Sequence, residues 1–180
     1  SLYDVVVVGG GGTGLMAAYA AAKAGARVVV LEKGLALGGT TAMSVGTVAA
    51  SATRLQRENG INDHPDAHFE DMSLFKPEWA NRDHLGFRRL LVDHAPDTIA
   101  LLEEMGVVFM GPLPEPPHRV PRLHAIIPHS RGFIDHITRA CKAMGVELKT
   151  GQRVLSLRQD QDRVCGVVVE TSKDVTENIL

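Results

Sequence analysis

Cysteine is scarce in this chain: 180 residues hold only two, Cys141 and Cys165. They fall on a helix-like and a strand-like stretch. They read as small buried apolar residues rather than a disulfide, which suits a reducing cytoplasm. Long apolar runs are also missing. The longest, near residues 15 to 31, is interrupted by Lys23, Gly25 and Arg27 and is too broken to span a bilayer. It follows a strand-like run and lacks a basic leader, so it does not read as a signal peptide. No charge of one sign dominates. The net charge is −2 and is spread along the chain, which gives no electrostatic case for nucleic acid or an anionic membrane. Repeats, low-complexity segments and a Ser, Cys or His trio suited to nucleophilic catalysis are absent as well. What remains is a soluble α/β chain, 44% apolar and long enough to bury one substantial core.

The first forty residues carry the chemistry. Residues 3 to 8 (YDVVVV) form a continuous apolar run of the kind that makes a buried parallel strand. Gly9, Gly11 and Gly14 follow in GxGxxG spacing, then an alanine-rich helical stretch over residues 15 to 24. A second strand over residues 27 to 31 ends at Glu32. Each part has a physical reason. Gly9 allows the tight turn off the strand, Gly11 lets the backbone approach a pyrophosphate, and Gly14 lets helix and sheet pack closely, as do the small Ala18 and Gly25. The helix N-terminus offers free N–H groups and the positive end of its dipole to an anion. Glu32 stands where a carboxylate accepts hydrogen bonds from ribose hydroxyls. Together these features predict a dinucleotide site.

A second glycine pair follows at once: Gly38-Gly39-Thr40-Thr41-Ala42-Met43-Ser44. Two adjacent glycines and small hydroxyl residues predict another close backbone approach at the start of a helix. The segment EKGLALGGTTAMSVG resembles the flavoprotein subunits of the fumarate reductase and succinate dehydrogenase family, including its 3-ketosteroid dehydrogenase branch. The resemblance is close over about the first fifty residues and holds in outline beyond. It implies that the cofactor is FAD, with the first glycine loop on the pyrophosphate, the acid on the adenosine ribose and the second glycine segment along the flavin. The implied cofactor contacts are Gly9, Gly11, Gly12, Thr13 and Gly14, then Glu32 and Lys33, then Gly38, Gly39, Thr40, Thr41 and Ser44, with Gly46 and Val154 further on. Val154 corresponds to a family strand beside the adenine. Two departures stand out. Residues 46 to 50 read GTVAA, so only Gly46 survives of a family Gly-Gly pair. Thr40 stands near the place of the histidine that the respiratory enzymes link covalently to flavin, which implies non-covalent FAD.

The resemblance further implies hydride exchange between flavin N5 and a carbon–carbon bond next to a carbonyl, on a small carboxylate or ketosteroid-like substrate. Family members are several hundred residues long, with a cap domain and a C-terminal segment that completes the flavin pocket. The expectation is therefore a Rossmann-like FAD-binding domain with a parallel central sheet, flanking helices and a small β-rich C-terminal segment. Residues 1 to 180 would be the N-terminal part of that domain, with its catalytic acid or base elsewhere and no activity alone. The residues by themselves leave two other readings open: a nicotinamide-binding dehydrogenase domain, and a non-catalytic dinucleotide-binding fragment.

The middle of the chain reads as mostly helical: residues 41 to 59, a short helix from Pro65 to residue 74, and a longer one capped by Asn81 or Asp83 and kinked or divided at Pro96. A short strand is expected over residues 107 to 110. Residues 111 to 128 hold six of the nine prolines and read as an irregular excursion. A helix over residues 130 to 144, capped by Ser130, precedes a parallel strand at 146 to 149. Two strands, at 154 to 157 and 164 to 169, then flank a polar turn. Several polar residues have a functional and a plain reading. His64 and His68 have a metal-ligand spacing but no third ligand, and are read as surface histidines. His118, His124 and His129, with Arg119 and Arg122, form either a substrate-facing loop or solvated surface. Arg54, Arg57 and Glu58 read as an exposed helix face, and Met43 and Met110 as packing residues.

Overall fold

The computed structural model describes residues 2–171 and 176–179; Ser1, residues 172–175 and Leu180 lie outside the described residues, as do the side chains beyond residue 170. The chain forms two compact units, Ser1–Ser44 with Phe133–Leu180, and Val45–Gly132.

Unit 1 begins with a β-α-β motif: strand β1 (Val5–Val8), helix α1 (Gly12–Lys23) and strand β2 (Val28–Glu32). Runs of β-branched valine favour the extended backbone and pack well on a pleated surface. β1 and β2 pair in parallel, Val5 opposite Val28 through Val8 opposite Leu31. Strand β6 (Glu147–Thr150) adds in parallel to the other side of β2, giving the order β1-β2-β6. β2 is thus central, and its Val28, Val29, Val30 and Leu31 are buried. β1 has the same sequence character but lies at the sheet edge among the described residues, with Val8 56% exposed.

Helix α1 buries Leu15 and Ala18, and helix α6 (Arg131–Ala143) buries Phe133, Ile134, Ile137 and Cys141. The two helices meet where the Cys141 thiol donates to the Leu15 carbonyl at 3.3 Å. Burial raises the Cys141 pKa to about 11, so it is an inert thiol. Both cysteines are free, with Cys141 buried and Cys165 half-buried. The short helix α2 (Gly39–Met43) lies against α1. Strands β7 (Gln152–Asp160) and β8 (Arg163–Thr171) form an antiparallel hairpin turned at Gln161 and Asp162, and β9 (Thr176–Ile179) extends it. Val167 and Val169 of the hairpin bury themselves on Val29 and Leu31 of β2, with Val154 packed alongside.

In unit 2, strands β3 (Thr47–Ala49), β4 (Val108–Leu113) and β5 (Leu123–Ile127) form an antiparallel sheet in the order β3-β5-β4. Helices α3 (Arg54–Glu58), α4 (Pro65–Met72) and α5 (Leu85–Glu104) belong to this unit, with a 3-10 turn at Pro77–Arg82. Its core includes Val92, Ala95, Ile99, Leu102, Val107, Phe109 and Ile126.

The structure corrects four sequence expectations here. Residues 41 to 59 are not one helix. Gly46 takes φ +82° and Ala52 φ +52°, β3 pairs with β5, and a new helix starts at Thr53. The Thr53 and Gln56 side chains form a reciprocal capping box there, a legible signal that a single long helix overlooks. The proline-rich stretch is not wholly irregular: β4 runs to Leu113, and Leu123–Ile127 is the central strand of the unit 2 sheet. The long helix is capped by His84, whose Nδ1 accepts from the Phe87 amide at 3.2 Å, and it continues through Pro96. Met43 and Met110 are 79% and 51% exposed, so neither is a packing residue.

Candidate functional site

The glycine loop of unit 1 shows why each glycine stands where it does. Gly9 turns the chain off β1 at φ +102°, in the left-handed region, and its amide donates to the Leu31 carbonyl at 2.8 Å. A Cβ on Gly14 would lie 2.0 Å from the Gly9 carbonyl oxygen, so only glycine lets α1 start this close to the turn. A Cβ on Gly12 would meet Thr41 Oγ1 at 2.8 Å. Gly11 differs from all of these. Its φ of −79° suits any residue, and an added Cβ would come no nearer than 3.8 Å to another atom, the Gly38 carbonyl oxygen. Nothing in the fold requires glycine at position 11. The open space beside it is a cradle that a side chain would fill, and this fits the close approach of a pyrophosphate.

The two glycine segments are joined to each other. Gly38 donates its amide to the Gly10 carbonyl at 2.8 Å, Gly11 and Gly38 form a parallel bridge, and the Gly12 amide donates to Thr41 Oγ1 at 3.2 Å. Gly38 and Gly39 take φ of +129° and +49°. A helix leaves its first amides without intrahelical acceptors. With glycine as N-cap of α1 and the Gly12 amide turned to Thr41, the Thr13 and Gly14 amides remain for an anion.

Glu32 ends β2 with its carboxylate directed at this loop. Oε2 accepts from the Gly10 amide and Oε1 from the Gly34 amide, both at 2.7 Å. Sequence reasoning gave Glu32 a ribose to hold; the structure adds a bracing role for the glycine loop. Each carboxylate oxygen keeps further acceptor capacity for a hydroxyl. Next to Glu32, a cleft of about 320 Å³ is lined by Val8, Gly9, Leu31, Lys33 and Val154, together with Gln152 and Arg153. It lies at the carboxyl ends of β1 and β2, where α/β sheets bind ligands. Gln152 and Arg153 were not singled out from sequence, because only the fold of the β7–β8 hairpin brings them beside Glu32.

Of the remaining sequence-predicted residues, Thr40 is exposed on α2, and Ser44 spends its hydroxyl on the Thr41 carbonyl at 2.9 Å. Gly46 belongs to unit 2. There φ +82° and an added Cβ 3.0 Å from the Ser130 backbone account for it without a ligand.

Unit 2 contains a second concentration of polar groups, built from side chains. Arg122 is fully buried. Its Nε and Nη2 form a two-pronged pair with Asp63 at 2.7 Å each, and its Nη1 reaches Asp71 at 2.6 Å. Gln56 donates to Asp63 at 2.9 Å, and Arg119 donates to Asp71 through its backbone amide and Nε. Burial would raise the Asp71 pKa, but the hydrogen bonds from Arg119 and Arg122 prevail and set it at about 2. His68 is buried, not a surface histidine, and His124 is fully buried between Thr53 Oγ1 and the Arg122 carbonyl, both at 2.8 Å. The solvated-surface reading therefore fails for Arg122 and His124. Among the described residues, no group of three His, Cys, Asp or Glu could hold a metal ion, and no helix is long and apolar enough to cross a membrane.

Comparison with known proteins agrees with the loop geometry. The family model of the FAD binding domain matches residues 4–179. The chain is 30% identical over 179 residues to an NADH:fumarate oxidoreductase of Klebsiella pneumoniae, covering 97% of this chain and 19% of that protein. It is 40% identical over 111 residues to a 4-oxocyclohexanecarboxylate 2-dehydrogenase of Sinomonas cyclohexanicum, covering 61% of this chain and 19% of the relative. The chain thus spans about a fifth of these relatives' length. Among solved structures, the open conformation of a flavocytochrome c3 fumarate reductase superposes with a TM-score of 0.89 at 27% identity, covering 98% of this chain and 31% of that one. A 3-ketosteroid-Δ4-(5α)-dehydrogenase from Rhodococcus jostii, at 22% identity and a TM-score of 0.83 over 98% of this chain and 43% of that one, shares the fold. The chain belongs to the FAD binding domain family, as the FAD-binding domain of fumarate reductase and ketosteroid dehydrogenase-like oxidoreductases.

Proposed function

We propose that this chain supplies the ADP-binding part of the FAD site in an oxidoreductase that makes or reduces a carbon–carbon double bond next to a carbonyl. The observation that carries the reading is Gly11, a glycine no part of the fold demands, beside the unspent amides at the start of α1. Those amides and the α1 dipole would bind the pyrophosphate, Glu32 would accept from the adenosine ribose, and Lys33 and Val154 would border the adenine end. FAD, when bound, supplies the ring that carries the hydride. Gly38 and Gly39 would let the backbone of α2 approach it closely, and Thr40 offers no group for a covalent link. The substrate is a small carboxylate or ketosteroid-like molecule, and the site of action is the cytoplasm, consistent with two free cysteines.

No residue of the chain is assigned to proton transfer. β1 has the sequence of a central strand but lies at an edge, consistent with further chain from the same protein completing the sheet and covering the cofactor. The isolated chain is accordingly expected to be inactive and to hold FAD poorly, since hydride transfer needs an oriented substrate and excluded water. The intact protein should purify yellow, and acid precipitation should leave the flavin in the supernatant. Gly11→Val should remove the colour while leaving the unfolding midpoint of the FAD-free protein in place. A colourless wild-type protein that takes up NADH would overturn the reading. Turnover by residues 1 to 180 with tightly held flavin would refute the incomplete-site part of it.

A further inference from the structure

Helix α5 in unit 2 carries two apolar stripes. One, Val92, Ala95, Ile99 and Leu102, is buried in the core of its unit. The other repeats at spacings of three and four: Phe87, Leu90, Leu91 and Leu101, with His94 and Thr98 between them. Phe87, Leu90 and Leu91 are 69%, 57% and 53% exposed. One stripe is enough to hold a surface helix on its core; the second is apolar surface left in water. That surface continues beyond the helix. Leu91 walls a cleft with Met72 and Phe75, and Met72 and Phe75 wall the next one with the exposed Trp79.

Charge at the two ends of α5 selects what can cover this face. Arg82 stands just before the helix, at the positive end of its dipole. Asp97 and Glu104 lie seven and fourteen residues on from Leu90, so they border the stripe in the C-terminal half. None of these three side chains has a hydrogen bond or ion pair among the described residues. An anionic lipid surface would be repelled by Asp97 and Glu104. A second α5 laid parallel would set like charges side by side and align the two dipoles. Laid antiparallel, it brings Arg82 of one copy to Glu104 of the other and opposes the dipoles.

We propose that this chain pairs with a second copy of itself through α5, antiparallel about a two-fold axis at His94. Positions equally distant from His94 then face each other. Phe87 of one copy meets Leu101 of the other, and His94 meets its own counterpart. The contact is self-complementary, as a two-fold interface must be. A helix stripe of about 30 Å falls short of the about 800 Å² per partner that a stable interface buries, and the continuation over Met72, Phe75 and Trp79 widens the face toward it.

Sedimentation equilibrium and cysteine cross-linking of the intact, FAD-loaded protein test this. The wild type should sediment as a dimer. Leu90→Asp, at an exposed position, should weaken association at least tenfold with an unchanged circular dichroism spectrum. Should that variant misfold, the charge swap serves instead: Glu104→Arg should weaken association, and adding Arg82→Glu should restore it. In a Cys165→Ser background, oxidised His94→Cys should form a disulfide between copies, and Phe87→Cys alone should not. Phe87→Cys with Leu101→Cys should link the copies, because the two sites are about 21 Å apart along one helix and cannot bridge within it. A monomer overturns the proposal, whether further chain of the same protein covers α5 or leaves it bare. A dimer that Leu90→Asp leaves intact overturns it too, as does one in which His94→Cys stays unlinked or Phe87→Cys links to itself.

Discussion

The two polar sites of this chain are made of different material. The loop in unit 1 is built from backbone: amides at the start of α1, two glycine segments bridged by main-chain hydrogen bonds, and one carboxylate, Glu32, that braces them. The cluster in unit 2 is built from side chains drawn from α3, α4, the β4–β5 connection and the segment before α4, with Arg122 at its centre. A backbone site asks the sequence for absences, namely glycines at fixed spacing, and these are readable locally. A side-chain site asks for partners far apart in sequence, such as Arg122 with Asp63 and Asp71, and no local pattern announces them. The first site can lose one glycine and still fold. The second cannot lose its central charge without leaving buried Asp63 with no cation and buried Asp71 with Arg119 alone.

The largest effect that sharpens this contrast is therefore Arg122→Met. It should destabilise the protein by about 3–5 kcal/mol, since breaking a buried ion pair strands its partners. Urea unfolding measures it. A loss as small as that of an exposed pair would remove the distinction drawn between the two sites. The exposed Asp4–Arg27 pair serves as the control, and Arg27→Ala should leave the urea midpoint unchanged.

Acid should act on unit 2 in the same sense. His68 lies at about 4 when folded, against an ordinary value of 6.5. The unfolded chain therefore binds the extra proton first. This stability is complete above about pH 6.5 and is lost as pH falls toward 4, by at most about 3 kcal/mol. Asp71 extends the loss below its ordinary 3.8 toward about 2. Urea midpoints at pH 7.5 and 4.5 should differ in wild type, and the difference should shrink in His68→Met, with His118 and His124 keeping part of it. A parallel slope in both proteins would mean that His68 is not the group responsible.

In unit 1 the comparison is finer. Glu32→Ala should weaken FAD binding by roughly 1.5–3 kcal/mol through the lost charged hydrogen bond. It should also lower stability slightly, because the Gly10 and Gly34 amides lose their acceptor. Flavin titration and urea unfolding of the same preparation separate the two. Unchanged affinity would leave Glu32 as a brace alone.

Smallest in reach but sharpest in kind is the pair Gly14→Ala and Gly11→Ala. The first drives a Cβ to 2.0 Å from the Gly9 carbonyl oxygen and should cost about 1–3 kcal/mol of stability. The second has room in the fold and should leave the stability of the FAD-free protein within about 0.5 kcal/mol while weakening FAD. If both variants lost stability alike, the argument from the open cradle at Gly11 would fall.

How much of this was legible without coordinates follows from the same physics. The valine runs, the glycine spacing and the acid at the end of β2 fixed a β-α-β unit and its ligand end, because each is a local demand of backbone geometry. The capping box at Thr53 and Gln56 is equally local, but the residues after Gly46 suit helix and strand alike and mask it in the pattern. Tertiary packing decided that residues 47 to 49 become a strand, by supplying β5 as a partner, and that Pro112 lies within β4 and Pro114 directly after it. It also decided that His68, Arg122 and His124 are buried. Their polarity predicted solvent, and only the convergence of distant elements gives each charge or ring the partners that make its burial stable. What the sequence determined by itself was where the backbone must turn and come close. Which side chains face each other was left to the fold, because that depends on contacts between segments that local pattern does not encode.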